Sequence, residues 1–182
     1  MKFLARLTVV LAILVSVGAV AAQQPDRDRG IDLYREGKYV EAIDVLEKSV
    51  AANEKDRSAW LYLGGAYVHA GDETKARNAF EKSNAKPTVP QPKYERSVKL
   101  TNKPRPQYTE KARGNLTSGT VRIAIELRAD GTVGFVFPLQ TIKQDLIQPS
   151  LDAAKGTQFE PAMKDGKPVT VITMFQYGYW IG

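Results

Sequence analysis

His69 is the single histidine of the chain, and there is no cysteine. Imidazoles and thiolates are the side chains that most often bind metals or move protons near neutral pH. One isolated histidine therefore leaves neither a metal centre nor a catalytic triad to assemble, and His69 reads as a solvated helix residue. The carboxylates have local explanations. Asp130 and Asp165 each precede a glycine and read as turn residues, while Glu41 and Glu47 fall on helical surfaces. No glycine-rich phosphate loop precedes a helix, and there is no GxSxG elbow. A hydrolase built on two carboxylates would need a pair that meets only in space. The expectation is a protein that is no enzyme and holds no cofactor and no metal. Binding must then be carried by backbone and surface.

The elements that could present such a surface are legible. In Gly119 to Gly131, Val121, Ile123, Ile125 and Leu127 alternate with Arg122, Ala124, Glu126 and Arg128. Strict alternation is the mark of a half-buried strand, because successive side chains point to opposite faces. Asp130-Gly131 tolerates the positive φ of a reversal, and the apolar run Val133 to Phe137 follows, so the pair reads as a β-hairpin. Val169 to Trp180 is the longest strand candidate, with Asp165-Gly166 as the turn before it. Thr109 can cap a short helix over Glu110 to Arg113 that Gly114 ends. Pro149 suits the first turn of a second helix, with Leu151 and Ala154 inward and Gly156 at its end. Phe159 to Pro161 reads as extended, and Ser97 to Leu100 as at most a short strand.

The chain begins like an address. Lys2 and Arg6 precede an apolar run from Leu7 to Val20, and Val20 and Ala22 are the small residues of a cut before Gln23. Residues 1–22 thus read as a signal peptide, since the run is short of the ~20 residues a spanning helix needs. An uncleaved anchor stays open as the alternative. Without a cysteine after the run, a lipid anchor is excluded, and each exported domain must hold by packing alone. The net charge of +6 is unevenly spread: 11 basic against 12 acidic side chains in residues 23–86, but 13 against 8 in 87–182. The excess is scattered along strands and turns, which describes a solvated face better than a nucleic-acid site.

Residues 23–86 contain a period of 34. Gly30 and Gly64, Gly37 and Gly71, Ala42 and Ala76, and Leu46 and Phe80 are each so separated. Trp60-Leu-Tyr-Leu-Gly64, Ala66-Tyr67 and Ala76…Phe80 resemble the tetratricopeptide repeat, a helix–turn–helix unit of that length. The two copies span 26–59 and 60–86. The first is degraded, with Asp26 and Arg29 where the second has Trp60 and Leu63. Such arrays are protein-binding scaffolds. The resemblance implies a concave face of Arg27, Ile31, Tyr34 and Arg35 in the first copy, and Leu61, Gly65, Val68 and His69 in the second.

Five of the ten prolines, Pro87, Pro90, Pro92, Pro104 and Pro106, cluster after the repeats. They mark a semi-rigid joint, with a proline-rich linker at 87–97 and a second domain at 98–182. In that domain Pro106-Gln-Tyr108, Ala112-Arg113, Gly119-Thr-Val121, Asp130-Gly-Thr-Val133, Leu151-Asp-Ala-Ala154, Phe159-Glu-Pro161-Ala162 and Asp165-Gly-Lys-Pro-Val169 stand in order. The ordered set resembles the TonB C-terminal domain, with Thr109 where that family has proline.

The resemblance implies an α+β fold: a three-stranded antiparallel sheet with two helices on one face, behind α-helical hairpins in the first domain. It also implies docking of a partner segment as an added strand. The last strand is the expected edge, with Val171, Ile172, Met174, Gln176 and Tyr177 as its docking residues. Apolar side chains lie on both of its faces, and exposed apolar edges invite pairing. The implied partners are proteins: peptide segments, outer-membrane receptors or other envelope proteins, but no nucleic acid. A homodimer through the last strand stays open. The expected setting is the periplasm of a Gram-negative-type bacterium, with a soluble adaptor as the role, possessing neither the long reach nor the membrane helix of a transducer. An inner-membrane-anchored energy transducer is the alternative.

Overall fold

A computed structural model describes residues 26–84, 92–140 and 146–180. The signal-peptide reading lies outside the described residues. The chain divides into two compact units, Met1–Pro92 and Lys93–Gly182, each taken by itself.

Among the described residues the first unit is four helices in two hairpins: α1 (26–35), α2 (Tyr39–Ala52), α3 (Arg57–His69) and α4 (Glu73–Lys82). The 34-residue period has a direct physical expression here. A Cβ placed on Gly30 would lie 2.6 Å from the Leu46 side chain, and one on Gly64 would lie 2.7 Å from the Phe80 ring. In each hairpin, then, a glycine on the first helix receives a bulky side chain from the second. Gly37 and Gly71, again 34 apart, follow α1 and α3 with φ of +78° and +79°, the left-handed conformation that glycine adopts without cost. Asp56 caps α3 by accepting from the Ser58 and Ala59 amides at 3.1 Å each, and Asp72 caps α4 by accepting from the Lys75 amide at 2.9 Å.

The second unit is organised around a three-stranded antiparallel sheet. It is built from β2 (Gly119–Leu127), β3 (Val133–Gln140) and β7 (Val171–Tyr179), in the order β3-β2-β7. The β2–β7 ladder runs in register from Gly119 opposite Tyr179 to Leu127 opposite Val171. Two helices, α5 (Glu110–Gly114) and α6 (Ile147–Lys155), contribute Ala112, Ala153 and Ala154 to the core on one sheet face. β1 (Lys99–Asn102) pairs with β4 (Gln158–Glu160), and β5 (Ala162–Lys164) with β6 (Lys167–Val169). The β5–β6 reversal is made by Asp165 and Gly166, both at positive φ (52° and 70°), the pattern of a type I′ hairpin.

Four readings need adjustment. β1 lies at 99–102 rather than 97–100, because its register is set by β4: Lys99 faces Glu160, and its Nζ reaches the carboxylate at 2.8 Å. Gly114 ends α5 as its last helical residue, and it is Leu116, not the glycine, that takes the left-handed turn, at φ 48°. The two-faced picture of β2 holds on one side only. Val121, Ile123, Ile125 and Leu127 are buried as expected, but so are Ala124 and Glu126. β2 is the central strand, so its small Ala124 lies between Phe137 and Met174 on the flanking strands. The Glu126 carboxylate lies against Gly134 and accepts from Arg128 Nε at 3.1 Å. Finally, β7 shares its length of nine residues with β2 and is not the longest strand alone.

Candidate functional site

Alternation in β7 separates its side chains cleanly. Val171, Thr173, Phe175, Tyr177 and Tyr179 sit opposite Leu127, Ile125, Ile123, Val121 and Gly119, on the face that carries the helices. Ile172, Met174, Gln176 and Gly178 take the other face. Of the residues expected at the docking edge, Val171, Ile172 and Tyr177 are buried, Met174 is half-buried and Gln176 is exposed. Burial of those side chains does not close the edge, because an added strand is held by main-chain groups. Among the described residues β7 pairs only with β2, so its second side carries no strand.

The tail of β7 is pinned. The Tyr179 hydroxyl and Ser150 Oγ lie 2.7 Å apart, and Ser150 Oγ donates to the Leu146 carbonyl at 2.7 Å. Tyr108 packs edge-on against Tyr179 and donates its hydroxyl to the Thr117 carbonyl. Burial pushes the Tyr177 and Tyr179 hydroxyls upward in pKa, so both stay neutral throughout the physiological range. Thr109 caps α5 by accepting from the Ala112 amide at 3.1 Å.

What sequence reasoning missed is the wall beside the edge. Residues 94–106 run along β7 and leave two adjoining cavities, one of about 450 Å³ beside Val171 to Phe175 and one of about 430 Å³ beside Gln176 to Gly178. Lys103 lines both. Its ammonium lies 4.4 Å from the Phe175 ring centroid and 4.9 Å from that of Tyr177, within cation–π range. Burial lowers the Lys103 pKa. The sequence signal was a lysine and an arginine set among prolines, in Lys103-Pro-Arg-Pro106. Residues 94–98, expected in the linker or at its margin, are tied to this unit. The Glu95 amide donates to the Met163 carbonyl at 2.9 Å, and the Met163 amide to the Arg96 carbonyl at 2.8 Å.

These features have a counterpart among known proteins. The family described as Gram-negative bacterial TonB protein C-terminal matches residues 104–179, and the tetratricopeptide repeat family matches residues 27–90. Over residues 104–179 the second unit is similar to the TonB C-terminal domain. The chain is also similar to a solved structure titled "Solution NMR structure of Pseudomonas aeruginosa TonB CTD". Identity is 20%, with 47% of this chain and 87% of that chain covered, at a TM-score of 0.40. No curated protein matches the chain. Both families are protein-interaction modules rather than enzymes. Among the described residues no His, Asp and Glu cluster could hold a metal, and no helix is long and apolar enough to cross a membrane.

The repeat unit divides its expected binding residues in two. Arg27, Ile31, Tyr34 and Gly65 are buried, and burial makes them packing residues. Arg27 reaches Asp28 at 2.8 Å and the Asp56 cap at 3.9 Å, linking α1 to the start of α3. Arg35, Leu61, Val68 and His69 are half-buried and keep an accessible side. His69, read from sequence as a solvated helix residue, is instead half-buried. Its ring stacks on Tyr39 at 3.8 Å and leans on Tyr34 at 5.8 Å, while Arg35 lies over Tyr62. The aromatic neighbours are unused by any local pattern in sequence, because they arrive from three different helices.

Proposed function

We propose that the protein is an exported adaptor of the Gram-negative envelope that docks segments of partner proteins. The TonB-type domain takes an extended segment as a strand on the outer side of β7. The repeat unit offers the accessible part of its helical face, Arg35, Leu61, Val68 and His69. The observation that carries the reading is the strand order β3-β2-β7, which leaves the nine-residue β7 at the margin of a sheet whose family is an interaction module. An envelope setting is supported by the family and by the leader-like sequence of residues 1–22. The apolar run Leu7 to Val20 also fits a retained anchor, and with it the transducer reading.

Proline at both Ile172 and Met174 tests the edge, since proline lacks the N–H that a ladder requires and resists the geometry of a continued sheet. The expected outcome is loss of partner binding by at least about tenfold, or roughly 1.4 kcal/mol, with helical circular dichroism retained. Undiminished binding by a variant that still folds would place the docking surface elsewhere. If instead only self-association is lost, β7 is a homodimer seam.

A further inference from the structure

Among the described residues, the cleft along β7 contains two cations and no anion. Lys103 lines both cavities and Arg105 lines the second, while no aspartate or glutamate lines either. The nearby carboxylate of Glu160 is engaged, by Lys99 at 2.8 Å and Arg96 at 3.9 Å. Lys103 has no carboxylate partner among the described residues, and lies on the Phe175 and Tyr177 rings on the helix-bearing side of the strand. The Lys103 side chain is exposed and its ammonium rests on two aromatic rings, which supply electrostatic attraction but no acceptor lone pair, so its N–H groups are open to a carboxylate. Desolvation of its partly covered stem and head lowers the Lys103 pKa. A strand added to β7 would run about 4.8 Å from it. Side chains on one face of that strand would then stand beside Phe175 and Tyr177, where the ammonium lies.

We propose that the β7 cleft selects an extended protein segment bearing an aspartate or glutamate, whose carboxylate pairs with Lys103 opposite Phe175 and Tyr177. Arg105 adds field at the same end of the cleft. The inference rests on strand docking at β7 and adds to it the side-chain chemistry of the partner. The polypeptide is favoured over a phosphate-rich surface because the cleft pairs just two cations with a free backbone edge. Such an edge recognises another backbone, and two charges are few for an anionic polymer or membrane.

The test uses the full chain and three blocked nine-residue peptides of alternating valine and threonine, identical except for Asp, Asn or Lys at the centre. Binding is read by fluorescence anisotropy, with β7 amide shifts read by NMR. The Asp peptide is expected to bind about tenfold tighter than the Asn peptide, as for a partly desolvated ion pair, and the Lys peptide weakest. That preference should shrink as salt shortens the range of the charges. Lys103→Gln should reduce it to within about twofold, whereas Lys103→Arg should retain most of it. Matched thermal unfolding of both variants would show that the fold is intact.

Equal affinity for the Asp and Asn peptides, with both lost in the Ile172 and Met174 proline variant, overturns the carboxylate selection and leaves strand docking standing. Absence of binding and of β7 amide shifts with every peptide overturns both. Discrimination that survives in Lys103→Gln removes Lys103 as its source. Binding of anionic vesicles in place of all three peptides would make the cleft a lipid site instead.

Discussion

Gly64 shows how little room the repeat leaves at a single position. A methyl group there would lie 2.7 Å from two carbons of the Phe80 ring, which is fully buried. The ring cannot swing into solvent, so Gly64→Ala should destabilise the repeat unit by about 1–3 kcal/mol, the range for overpacking a closed core. Thermal unfolding of the full chain checks this, and an unchanged melting temperature would mean that the helices part easily. Asp130 offers a second test at this scale. Its Oδ1 accepts from the Thr132 hydroxyl at 2.6 Å and from the Thr132 amide at 2.9 Å. These bonds, the hydroxyl first, hold its carboxyl below the usual range. A carboxylate with a depressed folded pKa stabilises the fold above its unfolded pKa, and that stabilisation is lost as pH falls through the folded value. Asp130→Asn should therefore flatten the acid limb of stability below about pH 4. Identical acid limbs for variant and parent would show that the turn does not depend on the charge.

At the scale of elements, α5 ends in an unusual way. Leu116, an exposed leucine, occupies the left-handed position at φ 48°, and the Thr117 amide returns to the Ala112 carbonyl at 2.9 Å. A leucine there carries the Cβ clash that glycine avoids. Leu116→Gly should relieve it and raise stability by a few tenths to about 1 kcal/mol, after allowing for glycine's larger unfolded-state entropy. Denaturant unfolding decides. A loss of stability would mean that the leucine side chain makes a contact worth more than the strain. β7 is the element on which the proposed function turns, and the double proline variant addresses it directly. The odd residues build the core with β2 and the helices, while among the described residues its outer main-chain edge carries no strand.

For the whole molecule, the decisive question is what the first 22 residues do. The mass and N-terminus of the protein recovered from envelope fractions of its host would answer it. The adaptor reading expects a soluble species beginning near Gln23. A membrane-bound species retaining Met1 would instead favour an anchored transducer. The two units are each supported by their own family match, over 27–90 and 104–179. The absence of cysteine leaves both to packing, capping and ladder hydrogen bonds.

Much of this was written in local patterns. A 34-residue period, alternation in β2, aspartate-glycine turns and a capping threonine are set by short-range sterics and hydrogen bonding, so they could be read residue by residue. What the chain order could not convey is proximity. Whether Tyr34 and Arg27 face a partner or a neighbouring helix depends on how the helices stack. The burial of Ala124 and Glu126 depends on β2 lying between two strands. Lys103 meets Phe175 and Tyr177 across some 70 residues of chain. Local rules determined which segments are helices and strands. The resemblance already put the last strand at an edge, but only the tertiary structure decided that β7 pairs with β2 along its whole length, because strand pairing is long-range, and placed a lysine at its side.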